Sequence, residues 1–108
     1  MRFRLSRAAR EDLVAIADFV MRESGSAAAD RVIDEIFAAM ARIAEAPGIW
    51  HKRAEIDGDS VRVWHVYEYL ILFRPEPRPV AVLRVWHGAR APWRIDDALR
   101  EADDADIG

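Results

Sequence analysis

Apolar residues recur at helical spacing in the first half of this chain, and this periodicity limits the fold more than any other feature. The first stripe consists of Ala9, Leu13, Ile16 and Val20. Its i, i+4, i+7, i+11 spacing predicts an amphipathic helix that begins after Ser6, whose hydroxyl can cap it. A second stripe over residues 32–44 predicts another helix that stops before Pro47. Because the connection around Gly25 is short, the two helices should form an antiparallel hairpin.

The second half of the chain has the composition of β-strands. "VRVWHV" and "YLILFR" are rich in β-branched and aromatic residues and flank a tight turn at Tyr67–Glu68. After the proline-rich "PEPRP", the segment "VAVLRVWH" predicts a last strand, and "RFRL" predicts a first one. The order β-α-α-β-β-β indicates an α+β domain, with the helical hairpin on one face of an antiparallel sheet. We expect this single domain to span residues 1–95.

Charge is distributed unevenly along the chain. The net charge of the 108 residues is −3, and residues 96–108 alone carry −5, which leaves a balance of +2 for the rest. This acidic tail is expected to be a short helix or disordered. The mildly basic body holds arginines and a single lysine, Lys52, and arginine suits bidentate contact with carboxylate or phosphate.

Several classes of site are disfavoured by what the sequence lacks. It contains no cysteine, and its three histidines have no partner at helical spacing, so we expect neither a metal nor another cofactor. There is no glycine-rich nucleotide-binding motif. No run approaches the roughly 18 apolar residues that cross a bilayer, so a cytoplasmic protein without membrane contact is expected.

Polar residues on the late strands and their loops form the candidate site. They are Lys52, Arg53, Glu55, Arg62, His65, Arg84, His87 and Arg90. Three roles stay open: arginines that clamp a scissile RNA phosphate while Glu55 or His87 moves protons, phosphate binding without chemistry, or a protein interface anchored with Trp86 and Trp93. On one strand, Arg84 and Trp86 point the same way and His87 points oppositely, so Arg84 and His87 share a ligand only if the strand bulges or ends near Trp86.

The chain resembles the RelE/ParE superfamily of bacterial toxins, and the ParE branch more closely. The resemblance rests on "RLSRAAREDLVAIADFV", "AEAPG", "VRVWHVYEYLILFR" and "VLRVWHGAR" in that order. It implies a toxin that is neutralised by a ParD-like or RelB-like antitoxin wrapped around the helical hairpin and sheet. The ParE branch poisons DNA gyrase, whereas the RelE branch cleaves mRNA, usually in the ribosome.

The resemblance also assigns roles to individual residues. Arg62, Arg84, His87 and Arg90 match basic positions of the family. No tyrosine follows Tyr69, although the RelE nucleases often end in one, and Ala91 and Pro92 stand where an acid is common. These departures favour binding over cleavage.

The leading hypothesis is therefore a ParE-type toxin that inhibits gyrase by binding and forms a hetero-oligomer with its antitoxin. The expected target-facing residues are Arg62, Arg84, Trp86, His87, Arg90 and Trp93. Apolar residues near the helical hairpin are expected to bind the antitoxin, namely Leu13, Phe19, Val20 and Trp50. The first alternative is a RelE-like mRNA endonuclease that uses Glu55, Arg62, Arg84 and His87. The second is a non-toxic interaction domain with the same fold.

Overall fold

Two helices pack against a four-stranded sheet in the computed structural model, which describes residues 3–45, 61–76 and 78–87. The elements are β1 (Phe3–Leu5), α1 (Arg7–Ser24), α2 (Ser26–Glu45), β2 (Arg62–Val66), β3 (Tyr69–Arg74) and β4 (Val80–His87). The predicted α+β architecture and its element order are thereby confirmed. The acidic tail lies outside the described residues, as do Trp50, Glu55, Arg90 and Trp93.

The helical hairpin begins and turns where the sequence predicts. The Ser6 hydroxyl accepts a hydrogen bond from the backbone N–H of Ala9 at 2.9 Å and donates one to the carbonyl of Leu83 at 2.7 Å. One buried serine thus caps α1 and fastens it to β4. Gly25 separates the helices with a φ of 94°, which a residue with a side chain would adopt only under strain. Its backbone N–H donates a hydrogen bond to the Met21 carbonyl.

The sheet has the strand order β1-β4-β3-β2. β2, β3 and β4 are antiparallel neighbours, as expected, but β1 runs parallel to β4. This one difference from the predicted antiparallel sheet follows from topology, because a long connection separates the two strands and permits a parallel pair. A bulge places Leu83 as an extra residue in β4: Leu72 aligns with Arg84 and Phe73 with Val82.

Apolar side chains fill both faces of the sheet. The helix-side core joins the helical stripes to one face and includes Ile16, Ile36, Met40, Ile43, Ile71, Phe73, Val82 and Val85. The outer core lies on the other face and consists of Val61, Val63, Leu70, Leu72, Leu83 and Trp86. A strand buried on both faces loses the simple alternation of apolar and polar residues, which accounts for the nearly continuous apolar runs in β3 and β4. Neither α1 nor α2 is long and apolar enough to cross a membrane.

Candidate functional site

A buried ion pair ties α1 to the edge of β4. The Arg84 guanidinium donates from Nε to Asp12 Oδ2 at 2.7 Å and from Nη2 to Oδ1 at 2.8 Å. The backbone N–H of Val85 donates to the same Oδ2 at 2.9 Å. The two charged side chains are only 10% and 12% exposed. The Asp12 carboxylate therefore both neutralises Arg84 and satisfies a strand N–H beyond the point where β1 ends.

This ion pair changes the interpretation of two predicted target-facing residues. Arg84 and Trp86 are 8% and 7% exposed, and the guanidinium carbon of Arg84 lies 5.4 Å from the centre of the Trp86 ring. An arginine held by a carboxylate and an indole in the interior is not presented to a target. The structure therefore places both residues inside the domain, where they hold β4 against α1 and complete the outer core.

The arginine clamp that a nuclease would need is not assembled. Arg62 aligns with Phe73 on the helix side of the sheet, whereas Arg84 aligns with Leu72 on the outer side. His87 likewise lies on the side opposite to Trp86. The bulge precedes Arg84, so it does not turn Arg84 and His87 toward a common ligand. Arg62, Arg84 and His87 are therefore not arranged to contact one phosphate together.

An open groove of about 380 Å³ lies between α1 and the ends of β3 and β4. It is lined by Asp12, Ala15, Ile16, Phe19, Tyr69, Val85 and His87. Both carboxylate oxygens of Asp12 are already bonded to Arg84 and Val85, so the groove offers a largely apolar surface. Phe19 is 51% exposed at its margin, which is high for a phenylalanine and marks apolar area available to a partner.

The polar groups of the groove gather at its sheet end. The rings of Tyr69 and His87 meet edge to face, with centres 5.3 Å apart. His87 Nε2 lies 3.9 Å from the exposed Glu68 carboxylate, a pair that is ionic only when the histidine is protonated. Burial, and secondarily the nearby Glu68 charge, raises the pKa of the Tyr69 hydroxyl. The Tyr69 hydroxyl can donate and accept hydrogen bonds beside an apolar surface.

The groove includes only part of the surface predicted to bind an antitoxin. Phe19 lines it, but Leu13 is buried in the helix-side core and Val20 packs against that core. Asp12 and Tyr69 were missed by sequence reasoning. The sequence signal for Asp12 was its position directly beside the apolar stripe of α1, where a partly buried carboxylate needs a charged or hydrogen-bonding partner. Within the described residues, no group of acids and histidines could hold a metal ion.

Comparison with known proteins agrees with this architecture. The family model for the ParE toxin of the type II toxin–antitoxin system parDE matches residues 3–92. The chain belongs to the ParE toxin family. No curated protein matches it significantly.

A solved structure described as the chromosomal ParDE toxin–antitoxin system from P. aeruginosa shares the ParE fold with this chain. The match has a TM-score of 0.70 at 20% identity and covers 81% of this chain and 95% of the other. At that identity it supports the fold, whereas the family assignment rests on the sequence match. The chain is accordingly a ParE toxin of a type II toxin–antitoxin system.

Proposed function

We propose that this toxin inhibits DNA gyrase by binding it, and that a cognate antitoxin neutralises the toxin by occupying the groove beside α1. The family match over residues 3–92 carries the proposal, since the ParE branch that the sequence resembles acts on gyrase. Binding rather than cleavage is favoured because Arg62 and Arg84 lie on opposite faces of the sheet. The groove supplies the apolar surface on which a second chain could dock.

The target-facing group is revised accordingly. We assign Arg84 and Trp86 a supporting role, because they are buried and fix the strand that carries His87. His87 is partly exposed at the end of β4, and the chain continues from it toward Arg90 and Trp93. We propose that these three residues contact gyrase, with Arg62 at the other edge of the sheet. An antitoxin in the groove would touch His87 and thereby compete with the target.

The gyrase part of the proposal is tested by a supercoiling assay on the purified toxin, run beside a translation assay. Inhibited supercoiling with intact translation is expected. Cleaved transcripts with unimpaired supercoiling would overturn the gyrase assignment and favour the nuclease alternative.

The groove is tested by growth inhibition in cells that express toxin and antitoxin together. Phe19→Asp places a charge on the apolar wall, so the variant should remain toxic and escape neutralisation. Val14→Asp is the matched control, because Val14 is 70% exposed on the same helix but does not line the groove. Neutralisation of the Phe19 variant to the same extent as the Val14 variant would show that the antitoxin binds elsewhere.

A further inference from the structure

The hairpin between β2 and β3 turns on a residue that is unusual for its position. Val66 ends β2 opposite Tyr69, the first residue of β3, so Tyr67 and Glu68 form the whole turn. Tyr67 has a φ of 55°, in the left-handed region that bulky residues rarely adopt. Two-residue hairpin turns favour glycine, asparagine or aspartate where φ is positive. A tyrosine is therefore less favourable for folding here than an asparagine would be.

Burial of the Tyr67 side chain does not offset this backbone strain. The side chain is 55% exposed, whereas Tyr69, two positions further along, is buried in the helix-side core. Tyrosine presents a large apolar ring and a hydroxyl at a low cost in conformational entropy, and it is enriched at protein interfaces. Backbone strain that persists in a folded protein is concentrated at functional sites. Strain and exposure at one residue together indicate contact with a partner.

The position of the turn indicates which partner Tyr67 meets. Tyr69 aligns with His87 on β4, and the Glu68 carboxylate lies 3.9 Å from His87 Nε2, so the turn adjoins the residue that we expect to face gyrase. Tyr67 does not line the groove, and an antitoxin seated there need not cover it. We propose that Tyr67 contacts gyrase directly and extends the target-facing surface from His87 across the end of the sheet. This assignment rests on the proposed gyrase inhibition.

Tyr67→Asn separates a role in binding from a role in folding, because it removes the ring and suits the left-handed φ. In urea titrations the variant should be at least as stable as the wild type, since its turn is less strained. In supercoiling assays with purified gyrase, the concentration of the full-length toxin that halves activity should rise about tenfold, a loss typical of an interfacial aromatic residue.

Two further variants serve as controls. Tyr67→Phe keeps the ring and the strained turn, so it should retain most of the inhibition. Val14→Asn is the matched control, because it removes an apolar side chain that is 70% exposed on α1 outside the groove. Its inhibition of supercoiling should equal that of the wild type. Binding of the antitoxin, measured by calorimetry, should be the same for Tyr67→Asn and the wild type.

The possible failures are distinguishable from one another. Equal inhibition by Tyr67→Asn and Val14→Asn, with the wild type active, would overturn the role of Tyr67 and leave gyrase as the target. Weaker inhibition together with a lower urea midpoint for Tyr67→Asn would overturn it in favour of a purely structural role. Weaker antitoxin binding with unchanged inhibition would assign Tyr67 to the antitoxin instead. Supercoiling that the wild type does not inhibit would overturn both proposals.

Discussion

Removing the Asp12 carboxylate should destabilise the domain strongly. The Arg84 side chain is only 10% exposed, and Asp12→Ala removes its bidentate carboxylate partner. The same substitution removes the hydrogen-bond acceptor of the Val85 backbone N–H. Breaking a buried ion pair from one side costs about 3–5 kcal/mol in the free energy of unfolding. With a urea m-value of about 1.5 kcal/mol/M, the unfolding midpoint should fall by roughly 2–3 M.

The same chain supplies the control for this experiment. Asp18 and Arg22 form an ion pair on the surface of α1, with side chains 62% and 64% exposed, so Asp18→Ala should cost less than about 1 kcal/mol. Asp12→Leu combined with Arg84→Met should be more stable than Asp12→Leu alone, because no buried charge is then left unpaired. Equal urea midpoints for Asp12→Ala and Asp18→Ala would refute the claim that Asp12 and Arg84 are desolvated.

Three further outcomes follow from individual contacts. Ser6→Ala should lower the free energy of unfolding by about 1–2 kcal/mol in urea titrations, since it removes a helix cap and a bond to Leu83; a loss near zero would contradict both roles. Because the folded-state pKa of Tyr69 is raised, its stabilising contribution is complete below the unfolded value of about 10 and is lost as pH rises through the folded pKa. The variant Tyr67→Phe leaves Tyr69 as the single tyrosine, and its ultraviolet titration should give a tyrosine pKa above the usual value of about 10. A pKa at the usual value would refute the burial of Tyr69. In co-expression, Phe19→Asp should escape the antitoxin while Val14→Asp remains neutralised.

Local sequence signals were enough to predict the elements of this fold. The serine before α1, the Gly25 turn and the β-branched runs each act over a few residues, and the observed helices and late strands follow them. The parallel pairing of β1 with β4 was not predicted, because it depends on the path of all the residues that connect the two strands. The bulge at Leu83 was also missed, since the apolar residues on both sides of the strand give no signal of a register change.

The candidate site was less predictable because its decisive contact is distant in sequence. Asp12 and Arg84 are separated by 72 positions, and only the folded chain shows that the arginine turns toward α1. The alternation of residues along a strand correctly predicted that His87 lies on the opposite side of the sheet from Arg84 and Trp86. It does not predict whether a side chain is buried. Arg84 was therefore predicted to be an exposed cation, because its carboxylate partner Asp12 cannot be identified from the sequence. Phe19 was identifiable from the sequence because it lies beside the apolar stripe of α1. The structure shows that its side chain is half exposed.

Gyrase-dependent DNA supercoiling, measured with increasing toxin and then with added antitoxin, tests whether this toxin inhibits gyrase and whether an antitoxin in the groove prevents that inhibition. Wild-type toxin is expected to inhibit supercoiling, His87→Ala to inhibit it less, and the antitoxin to relieve the inhibition fully. Relief should fail for Phe19→Asp and persist for Val14→Asp. Supercoiling that is unaffected by a large excess of folded toxin would show that the toxin does not inhibit gyrase.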